Sequence, residues 1–217
     1  MQTLALLQGL GVAMLCPMAT RFLSELLTPD VLAAQEAAYG RHYTLPGGAP
    51  ADELGEDEVA FLADRDSFYL GTVSSSGWPY VQHRGGPKGF LKVVDEKTLG
   101  FADLKGNRQL VSTGNLSAND RVALFLMDYP GRQRLKILGH ARTVDAKADP
   151  ALADRLAPTP ELRSRVERVV LVDVVGFDWN CPAYITPRFT EEEVEAYARK
   201  LHARIADLER QLAAAKA

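Results

Sequence analysis

The sequence predicts a fold that is mainly β with added helices: a small antiparallel barrel carrying helical insertions and ending in a separate amphipathic helix. Three observations carry this prediction. At least six short β-rich runs lie at hairpin spacing through the middle of the chain. Helices are inserted among these runs and do not alternate with them, as a doubly wound parallel sheet would require. No G-x-G-x-x-G fingerprint follows a strand, and no Walker A loop is present.

From the N-terminus, residues 1–17, MQTLALLQGLGVAMLCP, are apolar but lack the basic flank, cleavage site and length of an export signal or membrane span. Met18 is the expected start of translation, which makes 1–17 a non-native extension; a weak anchor or export signal is the alternative. Residues 18–56 are expected to hold a helix from Thr28 to about Tyr39, with Thr28, Pro29 and Asp30 as helix-start residues, and then the Pro/Gly-rich linker LPGGAPADELGED. A further helix around Asp57 to Asp64 opens the barrel region, 57–190. Phe68–Val73 and Trp78–His83 flank the turn SSSG and predict a hairpin; GFLKVV and LGFAD flank DEKT and predict a second. A short helix after Gly106, the strand RVALFLMD, a YPGR turn and a long strand from Arg134 to Val144 follow. A charged, helix-favouring stretch from about Lys147 to Arg168, the strand VVLVDVV and the irregular segment NCPAYITPR complete the region.

Residues 191–217 have a different pattern. Val194, Ala198, Leu201, Ile205, Leu208 and Leu212 alternate spacings of four and three, a heptad seam. Such a helix either lies on its own chain or forms an intersubunit coiled coil.

Composition narrows the function. The 217 residues are 47% apolar, enough for a core and too much for a disordered chain. A formal charge of -3, from 25 basic and 28 acidic residues, provides no global field for nucleic acid or an acidic membrane, and neither is an expected partner. Cys16 and Cys181 are too few for a disulfide framework and are not spaced as a zinc site; no metal is expected, and a reducing cytoplasm fits best.

Two polar stretches stand out. In DLKGNRQL, 103–110, Gly106 follows a strand and Asn107 can cap a helix beginning at Arg108. Helix-start amides beside Lys105 and Arg108 suit a phosphate, the arginine as a planar fork and the lysine as a point charge. A solvated basic loop is the alternative. In QHRGGPKGF, 82–90, glycines between Arg84 and Lys88 let the backbone approach something flat, or simply form a turn.

From PKGFLK through DEKTLGFADLKGNRQL to RLKILGHARTV, the chain resembles the FMN-binding split-barrel superfamily typified by pyridoxamine 5'-phosphate oxidase, most closely its flavin-nucleotide-binding branch, over roughly 57–190. The resemblance implies an FMN-binding split β-barrel with PKGFLK beside the flavin. Lys92 falls on the closing lysine of the family's R-x-V-x-L-K strand, with Pro87 where the arginine stands. Ala102 and Asp103 fall on two flavin-contacting strand residues. Gly106, Asn107, Arg108 and Gln109 fall on the G-S-R-K phosphate loop, and Lys105 would supply the cation that Gln109 lacks. Arg134 replaces the glutamine of a Q-V-x-x-x-G strand, and Trp179 and Arg188 are spaced like a tryptophan and arginine that reach the cofactor. The branch carries a similar H-R-G-G-P stretch, which implies Arg84 and Lys88 at the flavin edge or the substrate. Phe90 and Leu91 would supply apolar contacts to the ring. Lys92, Arg134 and Arg84 are the cations suited to the ring's pyrimidine end.

Relatives in this superfamily are homodimers with FMN in the subunit interface, so a homodimer is implied. The Y-x-x-x-R-P-x-x-S substrate signature of the true oxidases is absent, and oxidation of B6 vitamers is not expected. The expected function is an FMN-dependent oxidoreductase exchanging electrons with a small molecule, NAD(P)H or oxygen. A non-catalytic flavin carrier or redox sensor, or a barrel holding deazaflavin or haem, are the alternatives.

Overall fold

The computed structural model describes residues 20–45, 47–106, 108–179 and 183–216. The extension 1–17 and the start at Met18 lie outside them. The chain forms two compact units, one of Met1–Met127 with Arg134–Asn180 and one of Asp128–Gln133 with Cys181–Ala217.

The first unit is organised by a seven-stranded sheet in the order β2-β1-β5-β6-β7-β4-β3. Its strands are β1 (Ser67–Val73), β2 (Pro79–Gly85), β3 (Lys92–Asp95), β4 (Thr98–Leu104), β5 (Arg121–Asp128), β6 (Gln133–Asp145) and β7 (Val166–Trp179). Helices α1 (Thr20–Leu26), α2 (Pro29–Tyr39), α3 (Glu56–Ala63), α4 (Val111–Ala118) and α5 (Pro150–Leu156) are added to it. This is the mainly β class with added helices that the strand spacing predicts. The first hairpin pairs Ser67 with Gly85 through Val73 with Pro79, and Gly77 closes its turn at φ 85°. Along β1, Phe68, Leu70 and Thr72 alternate inward, the period of two expected of a strand with one buried face.

The core lies mostly on one side of the sheet, where Phe61 and Leu62 of α3 meet Phe68, Leu70, Phe101 and Leu124. Leu152, Ala153 and Leu156 of α5 form a smaller cluster with Val169 and Leu171 of β7. Strand β4 is therefore buried on both faces, from Leu99 to Asp103. Gly100 gives α5 its close approach, since a Cβ there would meet Leu156 at 2.9 Å.

Several boundaries differ from the sequence expectation. GFLKVV contributes only Lys92 onward to β3, because Pro87–Phe90 is a turn: Phe90 N–H donates to Pro87 O at 3.0 Å, and Gly89 has φ 73°. The helix after Gly106 begins at Val111, three residues later than Arg108. The charged stretch from Lys147 holds a short α5 and a 3₁₀ turn, Pro160–Arg165, before β7 begins at Val166, so that Val166–Arg168 extend the expected strand. Helix α1 was not expected. It packs on β7 through the buried Phe22, whose backbone nitrogen lies 2.7 Å from where a Cβ on Gly176 would sit.

In the second unit, the heptad segment forms one helix, α6 (Glu191–Lys216). Residues 183–190 before it carry no regular structure, and Arg188 lies over the Tyr129 ring, 4.9 Å from its centroid.

Candidate functional site

The alternation of an edge strand builds one wall of a cleft. On β2, Tyr80, Gln82 and Arg84 are half-buried while Pro79, Val81, His83 and Gly85 are exposed. The three half-buried residues face a cavity of about 220 Å³. The end of β4 (Asp103, Leu104), the start of β7 (Glu167, Arg168), the loop residues Gly106, Arg108 and Gln109 and the first turn of α4 supply its other walls. Ser112 Oγ donates to Gln82 Oε1 at 2.9 Å, and the buried Asn115 Nδ2 donates to Thr72 Oγ1 at 2.9 Å. These bonds fix α4 against the first hairpin, and with it the mouth of the cleft.

Asp103 is the electrostatic hub. Its Oδ1 accepts from Arg84 Nη1 and its Oδ2 from Arg168 Nη1, each at 2.6 Å. The second contact follows from the sheet register, which places Asp103 opposite Arg168. Arg168 Nη2 also reaches Glu167 Oε2 at 3.2 Å. A carboxylate only 9% exposed that is shared by two guanidiniums is compensated charge. Counting Arg108, the lining carries three arginines against two carboxylates, an excess of one positive charge.

Two features leave this cleft incomplete as a purely structural feature. Arg84 Nε is buried and makes no hydrogen bond. Leu110, at the N-cap of α4, makes no side-chain cap bond to the first-turn donors. Arg108 and Leu110 both have left-handed backbone, φ 62° and 54°. Non-glycine residues in that region are costly, and such strain concentrates at ligand-binding loops.

Of the residues singled out in the sequence, the structure brings Arg84, Asp103, Arg108 and Gln109 together around this cleft. Asn107 lies outside the described residues. Lys105 is exposed beside the cleft, its backbone N–H bonded to Arg165 O at 2.9 Å. The other candidates are placed elsewhere. Lys92 Nζ donates to Arg155 O and Ala157 O at 2.9 and 3.0 Å, closing the C-terminal end of α5. Lys88 pairs with Asp64 at 2.8 Å and holds its carboxyl below the usual carboxylate range. Phe90 stacks on Phe68 in the core, Leu91 is fully buried beside them, and Ala102 is buried in the middle of β4. Arg134 is the second residue of β6, its Nε buried without a bond. Trp179 Nε1 donates at 2.6 Å to Glu58, a carboxylate 1% exposed, and its ring meets Phe61 edge-on. Arg188 belongs to the second unit.

The strand that lines this cleft is β2, and no residue of PKGFLK lines it. Tyr80, Gln82, Ser112, Glu167 and Arg168 are lining residues that the sequence reading missed. The first two were recoverable, since residues two and four before Arg84 on a strand share its face. Nothing local marks Arg168, which depends on the β4–β7 register.

Among the described residues, no group of three His, Cys, Asp or Glu side chains could hold a metal ion, and no helix is long and apolar enough to cross a membrane. A second cleft, of about 410 Å³, lies along the later part of α4 and contains two closed pairs, His140 with Asp120 and Arg142 with Asp173.

A family model described as pyridoxamine 5'-phosphate oxidase matches residues 54–173. No curated protein sequence matches the chain. Among solved structures, it is similar to HupZ of Group A Streptococcus, at 15% identity over 57% of this chain and 91% of that one, TM-score 0.46. It is also similar to a protein related to general stress protein 26 from Clostridium acetobutylicum (14% identity, 64% and 94% covered, TM-score 0.46) and to an FMN-binding protein from Syntrophomonas wolfei (11% identity, 57% and 83% covered, TM-score 0.44).

Proposed function

Because this chain belongs to the pyridoxamine 5'-phosphate oxidase family, we propose that the cleft between β2 and the start of α4 holds the phosphate of FMN, and that the protein is an FMN-dependent oxidoreductase. The observation that carries this reading is the pairing of Arg84 and Arg168 on one buried carboxylate in a cleft that Arg108 also lines, beside a helix start whose N-cap residue makes no side-chain cap bond. A phosphate dianion fits such a place: the planar guanidiniums offer paired donors, and the excess charge is positive. The unbonded Nε of Arg84 is a donor in want of an acceptor.

Within this reading each residue has a separate task. Arg108, exposed on the strained loop, is the mobile cation that meets the phosphate. Asp103 positions Arg84 and Arg168 and keeps both guanidiniums compensated before ligand arrives. Gln82, held by Ser112, presents a polar amide to the more apolar part of the ligand. FMN when bound supplies the redox chemistry, taking up and giving back electrons, while the chain supplies orientation and charge. The electron partner is a small oxidisable molecule or a nicotinamide donor, and the working form is a homodimer.

The test is the absorption spectrum of the purified protein, the mass of the cofactor released by acid, and stopped-flow mixing with NADH and NADPH. FMN in the released fraction with rapid bleaching by a nicotinamide supports the proposal. FMN that nothing reduces makes the protein a flavin carrier or sensor, and a deazaflavin or haem overturns the assignment.

A further inference from the structure

Helix α6 is built to stand as a helix, yet none of its 26 residues is buried. Its start is secured by a capping box: Glu193 N–H donates to Thr190 Oγ1 at 3.2 Å, and Thr190 N–H donates to Glu193 Oε2 at 2.8 Å. Glu191, Glu192 and Glu193 in the first turn complement the helix dipole. Along one stripe, Val194, Leu201, Ile205, Leu208 and Leu212 remain between 46% and 56% exposed, with Ala198 completing the seam. Contiguous aliphatic surface of this kind marks an interaction site. The remaining question is what covers it.

We propose that α6 pairs with α6 of a second copy of this chain as a parallel two-stranded coiled coil. With Val194, Leu201 and Leu208 at d positions, Ala198, Ile205 and Leu212 fall at a positions. A β-branched residue at a flanked by leucines at d favours two parallel strands. The flanking charges set the direction. In a parallel pair, Arg204 at g faces Glu209 of the partner subunit at e, and the contact occurs twice by symmetry. An antiparallel pair that buries the same six residues sets Glu195 against Glu209 of the partner subunit, and Arg204 against Arg204 of the partner subunit, like charge against like. On its own helix Arg204 is within 3.0 Å of Asp207, an exposed pair outside the seam that contributes little and does not block the crossing contact. This inference is independent of the flavin reading, since it uses no residue of the cleft.

Disulfide trapping in the full-length chain tests it, with Cys16→Ser and Cys181→Ser removing the natural thiols. Leu212→Cys and Val194→Cys, each alone, are expected to give covalent dimer under mild oxidation, because in a parallel pair each seam position meets itself. Ala203→Cys, on the opposite face, is expected to give little and controls for collision. Arg204→Glu should raise the dissociation constant of the helix pair roughly two- to tenfold, and adding Glu209→Arg should restore it. Trapping only between Val194→Cys and Leu212→Cys chains when mixed would show an antiparallel pair and overturn the proposal. Equal trapping at all three positions, or at none, would show an unpaired helix and also overturn it.

Discussion

Arg108 and Trp179 separate two kinds of residue that a sequence motif cannot tell apart. Arg108 lines the cleft from a left-handed backbone position, exposed and adjacent to the start of α4. Its replacement by Ala is expected to weaken FMN binding roughly tenfold or more, the worth of a charge-assisted contact, and to leave riboflavin binding nearly unchanged. Titration of both ligands checks this; equal loss for the two would mean that the side chain does not meet the phosphate. Trp179 makes the opposite case. Its indole N–H satisfies Glu58 Oε1, while Glu58 Oε2 accepts the Gly55 N–H that starts α3. Trp179→Phe keeps the ring contact with Phe61 but leaves half of a buried carboxylate unpaired, at a cost of about 1–3 kcal/mol. Denaturant unfolding should show that loss, and FMN affinity of the same variant should stay within about twofold of the parent. Asp52 adds a titrating group. Burial raises its pKa above the ordinary carboxylate range, against the pull of the Phe177 N–H bond and Arg21. A raised folded-state value means that the folded chain keeps this proton to higher pH than the unfolded chain does. The group therefore favours folding most below about pH 3.9, and this contribution is lost as pH rises through the folded value. Asp52→Asn, which retains an acceptor for Phe177, should remove that part of the pH dependence in unfolding curves.

At the scale of elements, the sheet was legible wherever strands carried their own pattern. The hairpin β1–β2, the strand RVALFLMD and the long β6 fall within one or two residues of expectation, because alternating apolar residues and glycine-bearing turns are local signals. The loop 103–110 stood out for the same reason, its composition being unusual over eight residues, and Asp103, Gly106, Arg108 and Gln109 of it line the cleft. What failed was non-local. PKGFLK has the composition of a strand, but Gly89 N–H is tied to Arg65 O at 2.9 Å and Phe90 is drawn into the core, so the segment turns. The cleft is lined from β2. Helix α1 was missed because its seven residues bury one side chain only; its stability comes from docking on β7, where Gly176 leaves space. Gly176→Ala should push a Cβ to 2.7 Å from the Phe22 nitrogen, a backbone contact that no side-chain rotation relieves. The expected result is a loss of about 1–3 kcal/mol and faster hydrogen exchange of the amides in α1, with α5 unaffected. Unchanged protection in α1 would show that the helix is held by Phe22 and Lys136 alone, whose ammonium lies 4.9 Å from the Phe22 ring centroid.

For the molecule as a whole, two units with different chemistry occupy one chain. The first buries its apolar residues in a sheet-centred core, and the second ends in a helix that leaves its seam on the surface. A chain of modest net charge, -3, gains little from electrostatic self-repulsion to keep such a stripe soluble, so association is the economical way to cover it. Removal of everything after Arg188 isolates that contribution, because the truncation takes away α6 and leaves every residue of the cleft in place. The truncated protein is expected to dissociate at concentrations at least tenfold higher than the parent, equivalent to about 1.4 kcal/mol of dimer stability, when followed by sedimentation velocity over a dilution series. Its FMN content per chain should be retained at concentrations where it is still dimeric and should decline on further dilution if residues of both subunits build each site. Identical sedimentation of the two proteins would assign α6 to packing within its own chain, and loss of FMN without any change in sedimentation would place part of the C-terminal segment at the flavin itself.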